Sequence, residues 1–85
     1  MGKFDKVLLQ VLRGTSDKNV PFTDLCWLLE RLGFYERIRG SHHIFTRDDI
    51  EEIINIQSKG NHAKPYQVKQ VRQLILKYRL EEEAR

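Results

Sequence analysis

The chain has 85 residues, enough for one small core and too few for a second. Apolar residues make up 40% of it and charged residues 32%, a balance that excludes an intrinsically disordered polymer and predicts a folded domain. The net charge is +3, and its distribution matters more than its sum. Between Ile53 and Leu80 stand six basic residues, Lys59, Lys64, Lys69, Arg72, Lys77 and Arg79, and no acidic one. Such a segment either attracts phosphates or an acidic protein surface, or forms an ordinary solvated helix face.

The lone Cys26 rules out an internal disulfide framework and fits a reducing compartment. The apolar start VLLQVL is broken by Gln10 and lies too close to Arg13 to form a signal-peptide core or a membrane span. A cytoplasmic protein without membrane association is therefore expected.

Phe4, Val7, Leu8, Val11 and Leu12 follow the spacing of one helical face, and Gly14 is placed to end that helix. TSDKN, from Thr15 to Asn19, reads as a loop. A second helix is predicted to start at Thr23 as N-cap, with Asp24 complementing the helix dipole and Phe22 stapled onto Trp27. Leu25, Leu28, Leu29 and Leu32 form its apolar stripe, Gly33 closes it, and Cys26 and Trp27 read as packing residues.

After Gly33 the apolar period shortens from helical to alternating. FYERIR, HHIFTR and EEIINIQ read as three short strands of an antiparallel meander, with RDD as the turn before the third. A helix over DDIEEIINIQ is the alternative, because Ile50, Ile53 and Ile54 also have helical spacing. SKGNHAKP reads as a loop, and Pro65 suits the first turn of a last helix. In that helix Val68, Val71, Leu74, Ile75 and Tyr78 share an arc of about 120°, which leaves Lys69, Arg72, Lys77 and Arg79 outside it. Glu81 to Arg85 are expected to fray. The order helix, helix, three strands, helix predicts an α+β domain spanning residues 1–85, in which the helices cover one face of the sheet and leave the other open.

Two adjacent histidines sit in the second strand. With Phe45 pointing at the helices, alternation turns His43 inward and leaves His42, Ile44 and Thr46 on the open face, unless a bulge at Gly40 shifts the phase. An outward imidazole near Arg39, Arg47 and the loop lysines has the parts for work on RNA. It can take a proton from a 2′-hydroxyl or give one to a 5′-oxygen, while cations stabilise the crowded phosphate. The competing reading is an ordinary surface or interior histidine pair. Neither pair member has a matching Cys, Asp or His at metal-ligand spacing, so no metal and no small-molecule cofactor is expected.

GFYERIRGSHHIFTR, EEIINIQSKGNHAKP and YQVKQVRQLILKYRL, taken in order, resemble the HicA (YcfA-like) family of toxins. The resemblance spans residues 20–80, so residues 1–19 read as an additional N-terminal helix and loop. It implies a fold like the double-stranded-RNA-binding domain (dsRBD), mRNA interferase activity, an essential histidine in the glycine-led strand, and a HicB-like antitoxin as partner. Gly40 and His42 match the family's G-x-H positions, so the catalytic role is carried to His42. In members whose histidine stands one place later, the equivalent is His43. The family's valine- and proline-containing third strand, with its own histidine, is replaced here by EEIINIQ, so no second catalytic group is legible.

The expected function is therefore a metal-independent endoribonuclease toxin that acts on mRNA. His42 is its general acid or base, Gly40 permits close backbone approach, and Arg39, Arg47, Lys59, Lys64, Lys69 and Arg72 bind phosphates. The alternative is a non-catalytic dsRBD-like RNA-binding module.

Overall fold

The computed structural model describes residues 2–83. Helix α1 (Lys3–Arg13) is followed by a 3₁₀ turn (Asp17–Asn19) and α2 (Phe22–Arg31). Strands β1 (Tyr35–Arg39), β2 (His42–Arg47) and β3 (Ile50–Ile56) come next, then the short pair β4 (Ser58–Lys59) and β5 (His62–Ala63). Helix α3 (Pro65–Tyr78) and the single turn α4 (Leu80–Glu83) are the last elements among the described residues. This is the α+β arrangement expected from the sequence, a three-stranded antiparallel sheet in the order β1-β2-β3 with a dsRBD-like succession of elements.

Each helix contributes the stripe its periodicity predicts. Val7, Leu8 and Val11 of α1, Leu25, Leu28 and Leu29 of α2, and Val68, Val71, Leu74 and Ile75 of α3 are buried. They meet Phe45, Ile54 and Ile56 from one face of the sheet in a single apolar cluster. At roughly 1.5–3 kcal/mol per large side chain buried, this cluster is the main source of stability. DDIEEIINIQ is a strand and not a helix. Ile50, Ile54 and Ile56 are buried while Glu51, Ile53 and Asn55 are exposed, an alternation with period two that suits a surface covered on one side only.

Three details depart from the expected local structure. Helix α2 begins at Phe22 with Pro21 in the cap position, two residues earlier than a Thr23 cap would allow. The Pro21 carbonyl accepts from the N–H groups of Asp24 and Leu25, so the first turn closes without a side-chain cap. The ring of Phe22 lies against His43, with centroids 4.9 Å apart, and it is Phe4 that meets Trp27, at 6.4 Å. Second, SKGNHA folds back as the β4–β5 hairpin instead of a loop, and the hairpin holds the entry to α2. Ala63 N–H donates to the Val20 carbonyl at 2.9 Å and Phe22 N–H to the Asn61 carbonyl at 3.0 Å. Third, Glu81–Glu83 belong to α4, which Leu80 anchors at 1% exposure. Ala84 and Arg85, also expected to fray, lie outside the described residues.

Two acidic residues from other parts of the chain reach the basic C-terminal segment. Arg72 donates both terminal nitrogens to Asp17, at 2.9 and 3.1 Å, and a third bond to the Val11 carbonyl at 3.0 Å. Gly14, at φ 68°, leaves room for this guanidinium, since a Cβ there would stand 2.9 Å from its Nη1. The fork cross-links α3 to the end of α1. Arg72→Lys is therefore expected to cost about 2 kcal/mol in urea unfolding, because an ammonium keeps the charge and loses the two-pronged geometry.

Glu52 accepts from Lys77 Nζ at 2.7 Å and from the Tyr78 hydroxyl at 2.5 Å, which lowers its carboxyl from 4.5 to about 2. A depressed carboxylate contributes stability that is present above the unfolded-state value and lost as pH falls through the folded one. The stability advantage of the native chain over Glu52→Gln should thus shrink between pH 4.5 and about 2. Urea midpoints measured across that window check this, and parallel curves for the two proteins would contradict it.

Candidate active site

The β1–β2 hairpin turns through Gly40 and Ser41, and its register is regular. Arg39 pairs with His42, Ile38 with His43, Arg37 with Ile44 and Glu36 with Phe45. Gly40 takes φ 58° at the first central position of this two-residue loop, where a side chain is strained, and nothing lies within 4 Å of the place its Cβ would occupy. Gln57, just past β3, donates to Ser41 Oγ at 2.7 Å and ties the loop to the third strand. The sheet's one irregularity comes later, between Phe45 and Arg47 against β3. The phase at the histidines is accordingly unshifted: Phe45 is buried, His43 is half-buried and His42 is exposed.

On the open face His42 has defined neighbours. Its Nδ1 lies 3.0 Å from Asn55 Oδ1 on β3. A carboxamide oxygen only accepts, so Nδ1 is the donor and, in the neutral ring, Nε2 carries the free lone pair toward solvent. Tyr35, Arg37 and Arg39 of β1 share this face and are exposed, as is Ile53 of β3 at 61%. An imidazole bonded to Asn55, two guanidinium groups on the neighbouring strand and an exposed phenol thus occupy one surface. Asn55, Arg37 and Tyr35 were missed by sequence reading. Their alternation along β1 and β3 carried the signal, but it became informative only once the register set them beside β2.

On the opposite face, His43 Nδ1 donates to Glu36 Oε2 at 2.7 Å and the ring packs edge-on against Phe22. Two consecutive residues therefore occupy different environments, one open to solvent and one held between sheet and helix.

The expected phosphate-binding residues are scattered. Arg39 alone of them stands on a strand position paired with His42. Arg47 shares the parity of Phe45 and turns to the helix side, where it donates to the Leu32 carbonyl at 2.9 Å and to Glu83 at 2.7 Å, with Asp49 2.8 Å from its Nε. The pairing with Glu83 is the first cause of its raised pKa. Arg72 is held by Asp17 as described. Lys59 and His62 line a separate cleft of about 370 Å³ with Lys18 and Pro65. Lys64 caps α3, its N–H donating to Gln67 Oε1 at 3.2 Å, and Lys69 is exposed on that helix.

Comparison with protein-family models gives a match to the HicA toxin of bacterial toxin–antitoxin systems over residues 22–78. The chain belongs to the HicA toxin family. The HicA match begins at the first residue of α2 and ends at the last of α3, so it contains the whole sheet and both histidines, and α1 lies before it. Helix α1 nonetheless shares the core of the HicA region, through Val7, Leu8 and Val11. Neither the comparison with curated proteins nor that with solved structures gave a match. Among the described residues, no helix is long and apolar enough to cross a membrane.

Proposed function

We propose that this HicA-family toxin is a cytoplasmic endoribonuclease that cleaves mRNA by histidine acid–base chemistry, with His42 as the catalytic residue and a HicB-type antitoxin as its inhibitor. The observation that carries the reading is the exposed His42 ring, held through Nδ1 by Asn55 on an open face that also bears Arg37 and Arg39.

In the proposed step Nε2 of His42 removes the proton of a 2′-hydroxyl. The freed oxygen attacks the adjacent phosphorus, the bond to the 5′-oxygen breaks, and that oxygen takes up a proton from solvent while His42 returns its own to water. A 2′,3′-cyclic phosphate and a 5′-hydroxyl result, with no change of oxidation state. Arg39, on the strand position paired with His42, faces the charge that builds on the phosphate, and Arg37 extends the cationic track along β1. The uncrowded Gly40 turn lets a polynucleotide backbone come close, and Lys59, Lys64 and Lys69 contribute outlying phosphate contacts. Arg47 and Arg72 are left out, because their guanidinium groups are already satisfied by carboxylates. A partner that covers the open face would exclude RNA and silence the toxin.

One observation favours the binding-module reading: Asn55, the side chain bonded to His42, does not titrate and cannot serve as a second proton carrier. End-labelled RNA incubated with the purified chain separates the two. Fragments ending in cyclic phosphate are expected. Salt-sensitive binding without any fragment would establish the binding module in place of the nuclease.

A further inference from the structure

Cys26, Glu36 and His43 come from three elements, α2, β1 and β2, and their ligand-capable atoms all lie within 4.8 Å of one another. Glu36 and His43 are diagonal neighbours on the helix-facing side of the β1–β2 hairpin, since their cross-strand partners are Phe45 and Ile38. Cys26 lies one turn after Phe22 and one turn before Glu30 on α2, so these three side chains share a helix face. All of them line one open cleft of about 350 Å³, with Thr23 and Ser58 at its wall.

The donor groups of this cleft are of three kinds. A half-buried thiol, two carboxylates and an imidazole donating to one of them line the same cleft, a mixed sulfur, oxygen and nitrogen donor set.

We propose that this cleft binds a zinc-type divalent cation, with Cys26, Glu36 and His43 as its three protein ligands. Sulfur, nitrogen and carboxylate oxygen together match zinc and its borderline-soft relatives, whereas magnesium and calcium take oxygen ligands. Tetrahedral ligands around zinc stand about 3.3–3.8 Å apart. Small side-chain rotations close the 4.8 Å spread, and the 2.7 Å contact between His43 and Glu36 opens slightly as the metal replaces the shared proton. Water fills the fourth position from the open side of the cleft. The bound ion clips α2 to β1 through Glu36 and to β2 through His43, on the face opposite His42. Nothing in this inference uses the nuclease reading, and it is tested without RNA.

The test is titration of the full, reduced, chelator-treated chain with cobalt(II) and zinc. A near-ultraviolet thiolate-to-cobalt charge-transfer band is expected, saturating at one ion per chain and bleached by zinc. Zinc at a hundredfold excess over its Kd should raise the Tm by roughly 10–20 °C. Cys26→Ser should abolish the band, and His43→Gln and Glu36→Gln should each weaken binding about 10- to 100-fold. His62→Ala, a change at an exposed histidine outside the cleft, should bind as the native chain does. Absence of the band at saturating cobalt, measured on the native chain alone, overturns the site. So does zinc binding of unchanged affinity in Cys26→Ser, which would be adventitious surface binding.

Discussion

Alanine in place of His42 is expected to lower the rate of RNA cleavage by about 10²- to 10⁴-fold, the usual contribution of a positioned acid or base. The fold should be untouched. The ring is exposed and bonded only to Asn55, and such surface changes stay within about 0.5 kcal/mol. His43→Ala is the informative contrast. It removes an edge-on contact with Phe22 and the partner of Glu36, so its first effect should be a loss of roughly 1–2 kcal/mol in unfolding free energy. Single-turnover cleavage rates and urea midpoints for both variants decide the matter. A His42→Ala protein that cleaves at the native rate, beside a folded His43→Ala protein that does not, would move the chemistry to the inner histidine.

The largest stability effect is expected from Phe45→Ala, at about 3–5 kcal/mol. Phe45 is wholly buried at the centre of β2, opposite Ile54 on β3 and Glu36 on β1, in the one cluster that all three helices and the sheet share. Truncation leaves a cavity between layers whose backbones are fixed by hydrogen bonds, so the surroundings collapse only in part. A chain of 85 residues has a total stability of about 4–13 kcal/mol at the common value per residue. A loss of this size would leave the variant close to unfolding at room temperature, with a urea midpoint moved to low denaturant or beyond detection. A midpoint within about 1 kcal/mol of the native chain would mean that Phe45 is not the keystone of the sheet–helix interface.

Much of this was legible in the sequence because it depends on near neighbours. The stripe of Leu25, Leu28 and Leu29, the alternation around Phe45, and Pro65 at the first turn of α3 each express one helical or strand period. They were sufficient for the order of the long helices and the three-stranded sheet, and for the parity that turns His42 outward when no bulge intervenes at Gly40. The RGSHHIF stretch and the basic terminal helix carried the family resemblance, and the family match covers both.

Charge pairing across the chain was not legible. The run from Ile53 to Leu80 looks uniformly cationic, yet Arg72 is neutralised by Asp17, 55 residues away, and Lys77 by Glu52, 25 residues away. Bulge geometry was equally hidden: the irregularity between Phe45 and Arg47 lies in the pairing with β3, and Arg47 ends against Leu32 and Glu83.

The sequence by itself determined the three long helices, the three-stranded meander and most of the core stripe, because each follows from a repeat of two or 3.6 residues along one backbone; the β4–β5 hairpin, α4 and the unshifted phase at the histidines came only with the structure. Only the tertiary structure decided which polar groups meet. Asn55 reached His42, and Cys26 reached Glu36 and His43, through strand register and helix placement. Those are set by the packing of the whole core around Phe45 and by no local signal at the residues themselves.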